Sequence, residues 1–403
     1  MAREEMNINQ RFTYLRIMQD RYTAADRTLK AQLLDEMVTM TGLNRKHLIV
    51  QMSSPDLYRQ PRSHERGRIY GIEVVQAIAT IADALDWICA ERLQPTLRET
   101  AAHLIGFGEL EVTAQVLDQL GQISVATVGR ILTGIRPTER LPRAYPGRRA
   151  ENSAQRAVPS AIIPWDVAEP GYFEADLVHH GMPDEHGNRV CTLQLIDVLT
   201  GWSERFAIMG HEFDAIWEAL QLFKRHCPIP VRMIHSDNGG EFINTPLIAC
   251  FGPGKLDARQ TRGRPGYHND NRFVEQKNSS LVRAYLGTTP LHTYAQLRAL
   301  QQVYADMWVY YNLFQPVLRQ VERSVVPRPN GTLRIKRVQD RAHTPLQRLL
   351  EAKPPISHET QERLLALYRA TNPLALKRRF HAQIRALIAT SIQLGKEEVS
   401  TPV

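Results

Sequence analysis

Cysteine is scarce in this 403-residue chain, and its four cysteines are isolated from one another. No two of them form a Cys-x-x-Cys pair, so the sequence offers neither a cysteine-rich zinc site nor a disulfide framework. A chain without such a framework fits a reducing compartment. Hydrophobic residues make up 43% of the chain, which is enough for ordinary globular cores and excludes wholesale disorder.

Long apolar runs are also missing. No uninterrupted apolar segment approaches the roughly 18 residues that a membrane span requires. The charged first residues, 1–7, lack the hydrophobic region of a signal peptide. The phosphate-binding P-loop pattern is absent as well. We therefore expect a soluble cytoplasmic protein with no membrane partner and no ATPase site of its own.

Basic residues outnumber acidic ones, with 50 Lys and Arg against 42 Asp and Glu, which gives a formal net charge of +8. A basic chain favours a polyanionic partner such as nucleic acid. The stretch 136–164 is rich in arginine and proline and lacks apolar periodicity, so we interpret it as a basic linker. It suits a solvated tether and also a segment that follows a DNA backbone, and the two roles are compatible.

The N-terminal region has the apolar spacing of helices. The pattern predicts a helix over 27–40, a break at Thr41-Gly42-Leu43-Asn44, and a second helix over 45–52, with Asn44 as its N-cap. A helix, a short glycine-containing turn and a helix are the outline of a helix-turn-helix. The second helix opens with residues suited to contact phosphates or base edges: Arg45, Lys46 and His47.

A second unit of this kind is predicted over 117–132, where Ser124 caps a helix that carries Thr127 and Arg130. Each unit has a plain alternative, two packed helices of a bundle. Two such units in one basic chain favour DNA binding, and Arg130 is a candidate contact. We therefore predict a helical DNA-binding region over 1–135, followed by the linker at 136–164.

From about residue 165 the pattern becomes that of an α/β domain, predicted over 165–315. Strands are predicted near 171–178, 190–198, 202–209 and 231–235. Helices are predicted near 211–227, 245–251, 269–286 and 293–311. A small basic C-terminal region, 316–403, contains a strand-like segment at 331–338 and helical stretches near 345–351, 358–370 and 374–394.

Three acidic residues stand where metal binding is favoured. Asp176 ends an apolar run, Asp237 follows a predicted strand and a glycine-rich turn comes after it, and Glu275 lies on a predicted helix. Two aspartates at strand ends and a glutamate on a later helix can converge on divalent ions, which prefer carboxylate oxygens. For any single acid, a solvated or helix-capping role is the common alternative. Asp270 is an alternative third acid, but its position favours a cap at the helix start.

In these segments the chain resembles DDE transposases with an integrase-type catalytic core, a group that includes bacterial insertion-sequence transposases and retroviral integrases. The resemblance covers roughly 165–315 and rests on three segments: Ala175-Asp176, 235–242 and 264–278. The sequence departs from the family pattern at one point. Thirty-seven residues separate Asp237 from Glu275, two more than in many members, and the loop over 251–264 can hold them.

The resemblance implies a ribonuclease H-like α/β core, which is a mixed five-stranded sheet with flanking helices. An all-α helix-turn-helix region precedes this core and the basic C-terminal region follows it. Two Mg²⁺ or Mn²⁺ ions are implied, held by Asp176, Asp237 and Glu275, with Asp176 shared between them. Residues around the third acid are expected to contact DNA: Arg262, Arg264, Arg272, Lys277 and Asn278.

The implied activity is that of a transposase, which binds the ends of a mobile DNA element, cleaves at the 3′ end and joins that end to target DNA. Two ends must be brought together, so we expect a homo-oligomer on double-stranded DNA in the bacterial cytoplasm, associated with the nucleoid. A helper ATPase would be a separate chain. Two alternatives stay open: a DNA-binding regulator with a vestigial core, and a ribonuclease H-like nuclease that only hydrolyses.

Several neighbours of the acids receive simpler interpretations. His235 either supports the site or packs in its strand. His179, His180 and His186 suit a solvated loop better than a metal site. Asp197 is expected to be a structural carboxylate, Glu241 a surface acid and Trp202 a core side chain.

Overall fold

A computed structural model of the chain describes residues 6, 8–55, 57, 69–135, 167–237, 239–264, 270–327 and 333–400. The chain divides into two compact units. The first consists of Met1–Ile69 and Val325–Arg334, and the second of Tyr70–Ser324 and Ile335–Val403. The helical DNA-binding region predicted over 1–135 is therefore divided between the two units. The linker predicted at 136–164 lies outside the described residues.

Three helices are described in the first unit: α1 (Ile8–Ala24), α2 (Arg27–Thr41) and α3 (Arg45–Met52). Their apolar faces meet in a small core around Leu15, Met37 and Leu48. Gly42 follows α2 with φ of 67°, a left-handed conformation that favours glycine. The Asn44 side chain accepts a hydrogen bond from the backbone N–H of Lys46 at 2.9 Å and so begins α3. The helix, turn and helix predicted at these residues are confirmed.

The second unit begins with a helical region. Its helices are α4 (Ile72–Ala84), α5 (Ala90–Leu93), α6 (Leu97–Gly106), α7 (Ala114–Gln122) and α8 (Val125–Ile135), with a 3₁₀ turn at Gln94–Thr96. The break after α4 contains Asp86 and Trp87, which both have positive φ. Ser124 begins α8 as predicted, because its hydroxyl accepts the Thr127 N–H at 3.3 Å.

Five strands form one mixed sheet: β1 (Tyr172–His179), β2 (Val190–Asp197), β3 (Ser203–Met209), β4 (Met233–Ser236) and β5 (Arg259–Arg262). The strand order is β3-β2-β1-β4-β5. β1, β2 and β3 are antiparallel neighbours, whereas β4 is parallel to β1 and β5 is parallel to β4. The predicted mixed five-stranded sheet is confirmed. β5 lies within the segment that the sequence suggested to be a loop.

Helices cover both faces of this sheet. α9 (Phe213–His226) packs on one face, where Phe223 meets Phe173 edge to face with ring centroids 4.9 Å apart. The other face is covered by α11 (Arg272–Lys277) and α13 (Tyr294–Val309). Side chains alternate between the faces along each strand. Glu174, Asp176 and Val178 therefore share the face that α11 and α13 cover.

The core has a further short helix, α10, at Thr245–Ile248. Two other core helices continue into wider, π-helical turns. A π-helical segment, Asn278–Arg283, continues α11 into α12 (Ala284–Leu286), and a second one, Tyr310–Phe314, continues α13. The remaining elements are β6 (Gln320–Pro327), β7 (Leu333–Gln339), α14 (Pro345–Glu351), α15 (His358–Ala370) and α16 (Pro373–Ser400). β6 and β7 pair with each other as a two-stranded sheet.

Hydrogen bonds join the helical region of the second unit to the sheet-containing core. The Tyr310 hydroxyl donates to the carbonyl of Ala84 at 2.7 Å, and the Arg92 Nε donates to the carbonyl of Pro316 at 2.6 Å. Lys377 of α16 donates to the carbonyl of Asp83 at 2.7 Å. All of these side chains are wholly or partly buried, so we expect α4–α8 to move with the core. Within the described residues, no helix combines the length and the apolar content that a membrane span requires.

Asp197 is a buried carboxylate at the end of β2 that organises the turn before β3. It accepts hydrogen bonds from the backbone N–H of Gly171 at 2.7 Å, and from the N–H and hydroxyl of Thr200 at 2.8 and 2.7 Å. The expected structural role of Asp197 is confirmed, and so is the core position of Trp202, which is fully buried.

We predict that Asp197→Ala lowers the free energy of unfolding by about 2–4 kcal/mol, because three buried donors lose their acceptor. Urea denaturation followed by tryptophan fluorescence measures this loss. Asp184→Ala is the matched control, since Asp184 also accepts several local hydrogen bonds but is only half-buried. Its loss should be much smaller, and equal losses in the two variants would contradict the prediction.

Candidate active site

Asp176 lies half-buried on β1, the central strand of the sheet. Its Oδ1 accepts the backbone N–H of Leu177 at 2.9 Å, and its Oδ2 accepts a short hydrogen bond from the side-chain amide of Asn278. Gln194 is its direct neighbour on β2. The carboxylate therefore stands on the sheet face that α11 covers, with little freedom to move away.

Asp237 follows β4 directly. Ser236 pairs with Ala175 in the parallel β1–β4 ladder, and continuing this register by one residue brings Asp237 beside Asp176. Neighbouring strands lie roughly 5 Å apart, so the two carboxylates are within reach of a common ligand. The Asp237 Oδ1 accepts the Gly239 N–H at 2.9 Å, and the rest of the side chain is open to solvent.

Glu275 projects from α11 with an exposed side chain. α11 packs on β1 and β2, so it lies over the same face of the sheet as Asp176. Partial burial, followed by the charge of Asp237, raises the pKa of Glu275. The two residues are therefore close enough to repel each other. The structure thus brings all three acids expected from the sequence near one another, around β1 and the end of β4.

The carboxylates influence one another electrostatically. Burial and then the charge of Asp237 raise the pKa of Asp176 to about 8, and Glu241 and Glu275 act in the same direction. The hydrogen bond from Leu177 opposes them. Burial also raises the pKa of Asp237, against the hydrogen bond from the Gly239 N–H. Among the described residues, no cationic side chain offsets the shifts of Asp237 and Glu275.

The chemistry of the donor set suits a hard divalent ion, since carboxylate oxygens are the ligands that Mg²⁺ prefers. Within the part of the chain that the structure describes, however, no group of three or more His, Cys, Asp or Glu side chains is arranged to hold a metal ion. Asp237 and Glu275 are exposed. An ion would thus be held only after these side chains had closed around it.

Glu174 is a site neighbour that sequence reasoning missed. It is fully buried two residues before Asp176, on the same face of β1. Its Oε2 accepts the backbone N–H groups of Phe273 and Val274 at 2.7 and 3.0 Å. Burial raises the pKa of Glu174 to about 7, against these two hydrogen bonds. The sequence signal that could have identified Glu174 is its alternation with Asp176 within an otherwise apolar run.

The helix start before Glu275 differs from the expectation. Asp270 was expected to cap this helix, and that prediction is wrong. Its carboxylate instead accepts the backbone N–H of Arg264 at 2.8 Å and two hydrogen bonds from the same guanidinium, each at 3.1 Å. Asn271 stands at the N-cap position without a side-chain cap bond. The ion pair with Arg264 was stronger than the capping tendency of aspartate.

His235 packs inside β4, fully buried, where its Nδ1 lies 2.9 Å from the hydroxyl of Thr261 on β5. Burial lowers the pKa of His235 to about 4, so the ring is neutral at physiological pH. The solvated-loop prediction is wrong for His180, which is buried and lies 2.7 Å from the hydroxyl of Thr192. His186 is exposed beside Glu185, in the loop after β1.

The predicted DNA contacts around the third acid have varied environments. Arg272 is half-buried with its guanidinium 4.7 Å from the ring centre of Phe273, and Asn278 is bonded to Asp176. Lys277 is half-buried, and burial lowers its pKa to about 7, with Arg92 and Arg205 acting in the same direction. Arg262 and Arg264 are both half-buried, at and just after the end of β5.

The candidate contacts on the helices differ in accessibility. In the first unit, Arg45 pairs with Asp35 through a short ion pair, whereas Lys46 and His47 are exposed on α3. In the second unit, Arg130 is exposed on α8, and its guanidinium donates to the Thr127 hydroxyl at 3.1 Å. Lys46 and His47 are thus the candidates that α3 presents most openly.

Comparison with known proteins gives one informative match. No model of a known protein family matches the chain. The uncharacterized protein y4rM of Sinorhizobium fredii (strain NBRC 101917 / NGR234) is 32% identical over 308 residues. The aligned segment covers 76% of this chain and 86% of the relative. The chain therefore belongs to the same family as the S. fredii protein y4rM.

Proposed function

We propose that the protein is a DDE-type transposase, which binds the ends of a mobile DNA element and carries out metal-dependent 3′-end cleavage and strand transfer. The observation that supports this most directly is the convergence of Asp176, Asp237 and Glu275 around β1 and the end of β4. Each has a raised pKa, and other carboxylates contribute to the shifts of Asp176 and Glu275. Acids gathered in this way suit phosphoryl transfer on nucleic acid, in which cations balance the charge.

The topology of the sheet supports the same proposal. Three antiparallel strands are followed by a helix, a strand parallel to β1 and a further parallel strand, in the order β3-β2-β1-β4-β5. This order is compatible with the ribonuclease H-like core that the resemblance implies. Asp176 is on its central strand and Asp237 directly follows the strand beside it. Carboxylates on paired central strands are held by the rigid part of the fold.

Two Mg²⁺ or Mn²⁺ ions fit the donor set, and Asp176, Asp237 and Glu275 would hold them. When bound, such ions supply an activated oxygen nucleophile and stabilise the leaving oxygen. The protein's own contribution is to hold the carboxylates on β1, directly after β4 and on α11. Asp237 and Glu275 remain exposed toward the approaching DNA.

DNA recognition is assigned in this proposal to the helices. In the first unit α3 follows α2 through a glycine turn and exposes Lys46 and His47 at its start. A helix presented in this way can enter the major groove, with its first residues at base edges and phosphates. The net charge of +8 adds long-range attraction to DNA. Since two element ends must be joined to one target, we expect at least two copies on the DNA.

Strand transfer is the decisive test. A labelled duplex carrying the end of the DNA element that encodes the protein is incubated with Mg²⁺ or Mn²⁺. Wild-type protein should yield cleaved and joined products, and Asp237→Asn should lower joining by about 100-fold or more, because lost metal binding removes several kcal/mol of transition-state stabilisation. Hydrolysis without joining would indicate a nuclease. Specific binding without chemistry in either metal would indicate a regulator.

Metal binding should depend on pH in a defined direction. The pKa of Asp176 is raised to about 8. Below that value a proton must leave before an ion binds, and affinity should fall by up to about tenfold per pH unit. The rise in melting temperature that Mn²⁺ causes should therefore be larger at pH 8.5 than at pH 6.5.

Differential scanning fluorimetry with Mn²⁺ and with EDTA measures this difference. Asp176→Asn should abolish the rise in melting temperature at both pH values. Glu218→Gln, an exposed acid on α9, is the control and should keep it. A rise that is equal at the two pH values would contradict the raised pKa of Asp176, and one that survives in Asp176→Asn would exclude Asp176 as a ligand.

The exposed residues of α3 give a separate prediction for DNA binding. Lys46→Ala should weaken binding at every sequence and reduce the slope of log affinity against log salt by about 1, as expected for one lost phosphate contact. Lys46→Arg keeps the charge and should retain the slope. Fluorescence anisotropy over a salt series measures both. An unchanged slope in Lys46→Ala would remove this residue from the interface.

A further inference from the structure

The helix that carries Glu275 begins without a cap from its own segment. Asn271 makes no side-chain cap bond, and Asp270 is engaged by Arg264. The first N–H groups of a helix have no partner inside it and need one elsewhere. The N–H groups of Phe273 and Val274 find theirs in a residue about 100 positions earlier in the chain, Glu174 of β1.

Glu174 is a rigidly held hydrogen-bond acceptor for the start of α11. Its side chain is fully buried and one of its oxygens, Oε2, receives both N–H groups. Its other oxygen, Oε1, has no hydrogen-bond partner among the described residues, and neither has the Nε2 of His235, its direct neighbour on β4. The buried carboxylate thus makes no other hydrogen bond in the described chain, and its contact with α11 explains why a strand in the core carries a glutamate.

A second contact ties the other end of α11 to the same strand. Asn278 begins the π-helical segment, and its side-chain amide donates to Asp176. Glu275 lies between the two contacts, one residue after Val274 and three before Asn278. Because Glu174 and Asp176 are on one face of β1, the two contacts together fix both the position and the direction of α11 on that strand.

We propose that Glu174 is a positioning residue, which holds the start of α11 on β1 and thereby sets where Glu275 stands relative to Asp176. The consequence for catalysis rests on the proposed function, whereas the contact between Glu174 and α11 does not. Glu174 itself touches no reacting atom in this assignment. It acts through the backbone of Phe273 and Val274.

The chain offers a matched control in Glu204 of β3. This glutamate is also buried and also accepts two N–H donors, from the indoles of Trp202 and Trp308 at 2.8 and 2.9 Å. Its side chain lies on the opposite face of the sheet from Glu174. Glu204 pairs with Leu195 and Glu174 pairs with Ile196, and these two adjacent residues of β2 point to opposite faces. A change at Glu204 disturbs a buried carboxylate without touching α11.

Amide hydrogen exchange tests the contact without any need for activity. In Glu174→Leu, exchange at Phe273 and Val274 should rise about tenfold or more relative to the rest of the sheet, since both N–H groups lose a charged acceptor. In Glu174→Gln it should stay within about threefold of wild type, because an oxygen acceptor remains. In Glu204→Leu, exchange at these two amides should rise no more than in the rest of the sheet.

Mn²⁺ titration of the same proteins tests the consequence for Glu275. Binding should be about tenfold weaker in Glu174→Leu than in Glu204→Leu, and Glu174→Gln should restore it. Unchanged exchange at Phe273 and Val274 in Glu174→Leu would overturn the inference. If wild-type protein binds Mn²⁺, equal Mn²⁺ binding by Glu174→Leu and Glu204→Leu would overturn it as well. If wild-type protein bound no Mn²⁺ while the local exchange rose as expected, the proposed function would fail and the positioning of α11 would stand.

Discussion

Repulsion between carboxylates is the force against which this site is assembled. Asp176 is half-buried beside Asp237, with Glu275 and Glu241 close enough to raise its pKa further. Left to themselves, these side chains would separate or remain protonated. The sheet prevents separation because β1 and β4 are paired, so the backbones that carry the two aspartates cannot move apart without breaking a ladder of hydrogen bonds.

The third acid has no such ladder, and the fold holds it by a different means. α11 is short, and its start is held by a buried side chain of β1 instead of a local cap. Its far end is tied to the first acid through Asn278. β1 therefore serves as the reference for all three acids: it carries one, pairs with the strand before the second, and anchors the helix of the third.

Much of this architecture follows from local sequence. Apolar runs identified β1 to β4 within one or two residues, and the Gly42 turn with the Asn44 cap identified α2 and α3. β5 was missed because Arg259–Arg262 is short, polar and at the sheet edge, so it lacks an apolar alternation. Such a strand is specified by its partner, β4.

The contacts that organise the site were harder to predict because they join distant parts of the chain. Glu174 and Phe273 are 99 positions apart, and nothing near either residue identifies the other. Asp270 has the composition of a helix cap, but a nearby arginine engages it. Lys277 follows the third acid on its helix, yet its burial depends on how α11 packs, and six residues are too few to define a helix face by periodicity alone.

The π-helical segment at Asn278–Arg283 sets how the part of the helix beyond it is oriented relative to Glu275. A π turn holds one more residue than an α turn, and it usually occurs as a single widened turn inside a longer helix. In a regular α-helix the same extra residue would rotate everything beyond it by about 100° relative to Glu275. Tyr285, whose hydroxyl bonds Asp86 just after α4, would then face elsewhere. The widened turn thus keeps two faces of one helix in register, one toward the acids and one toward α4.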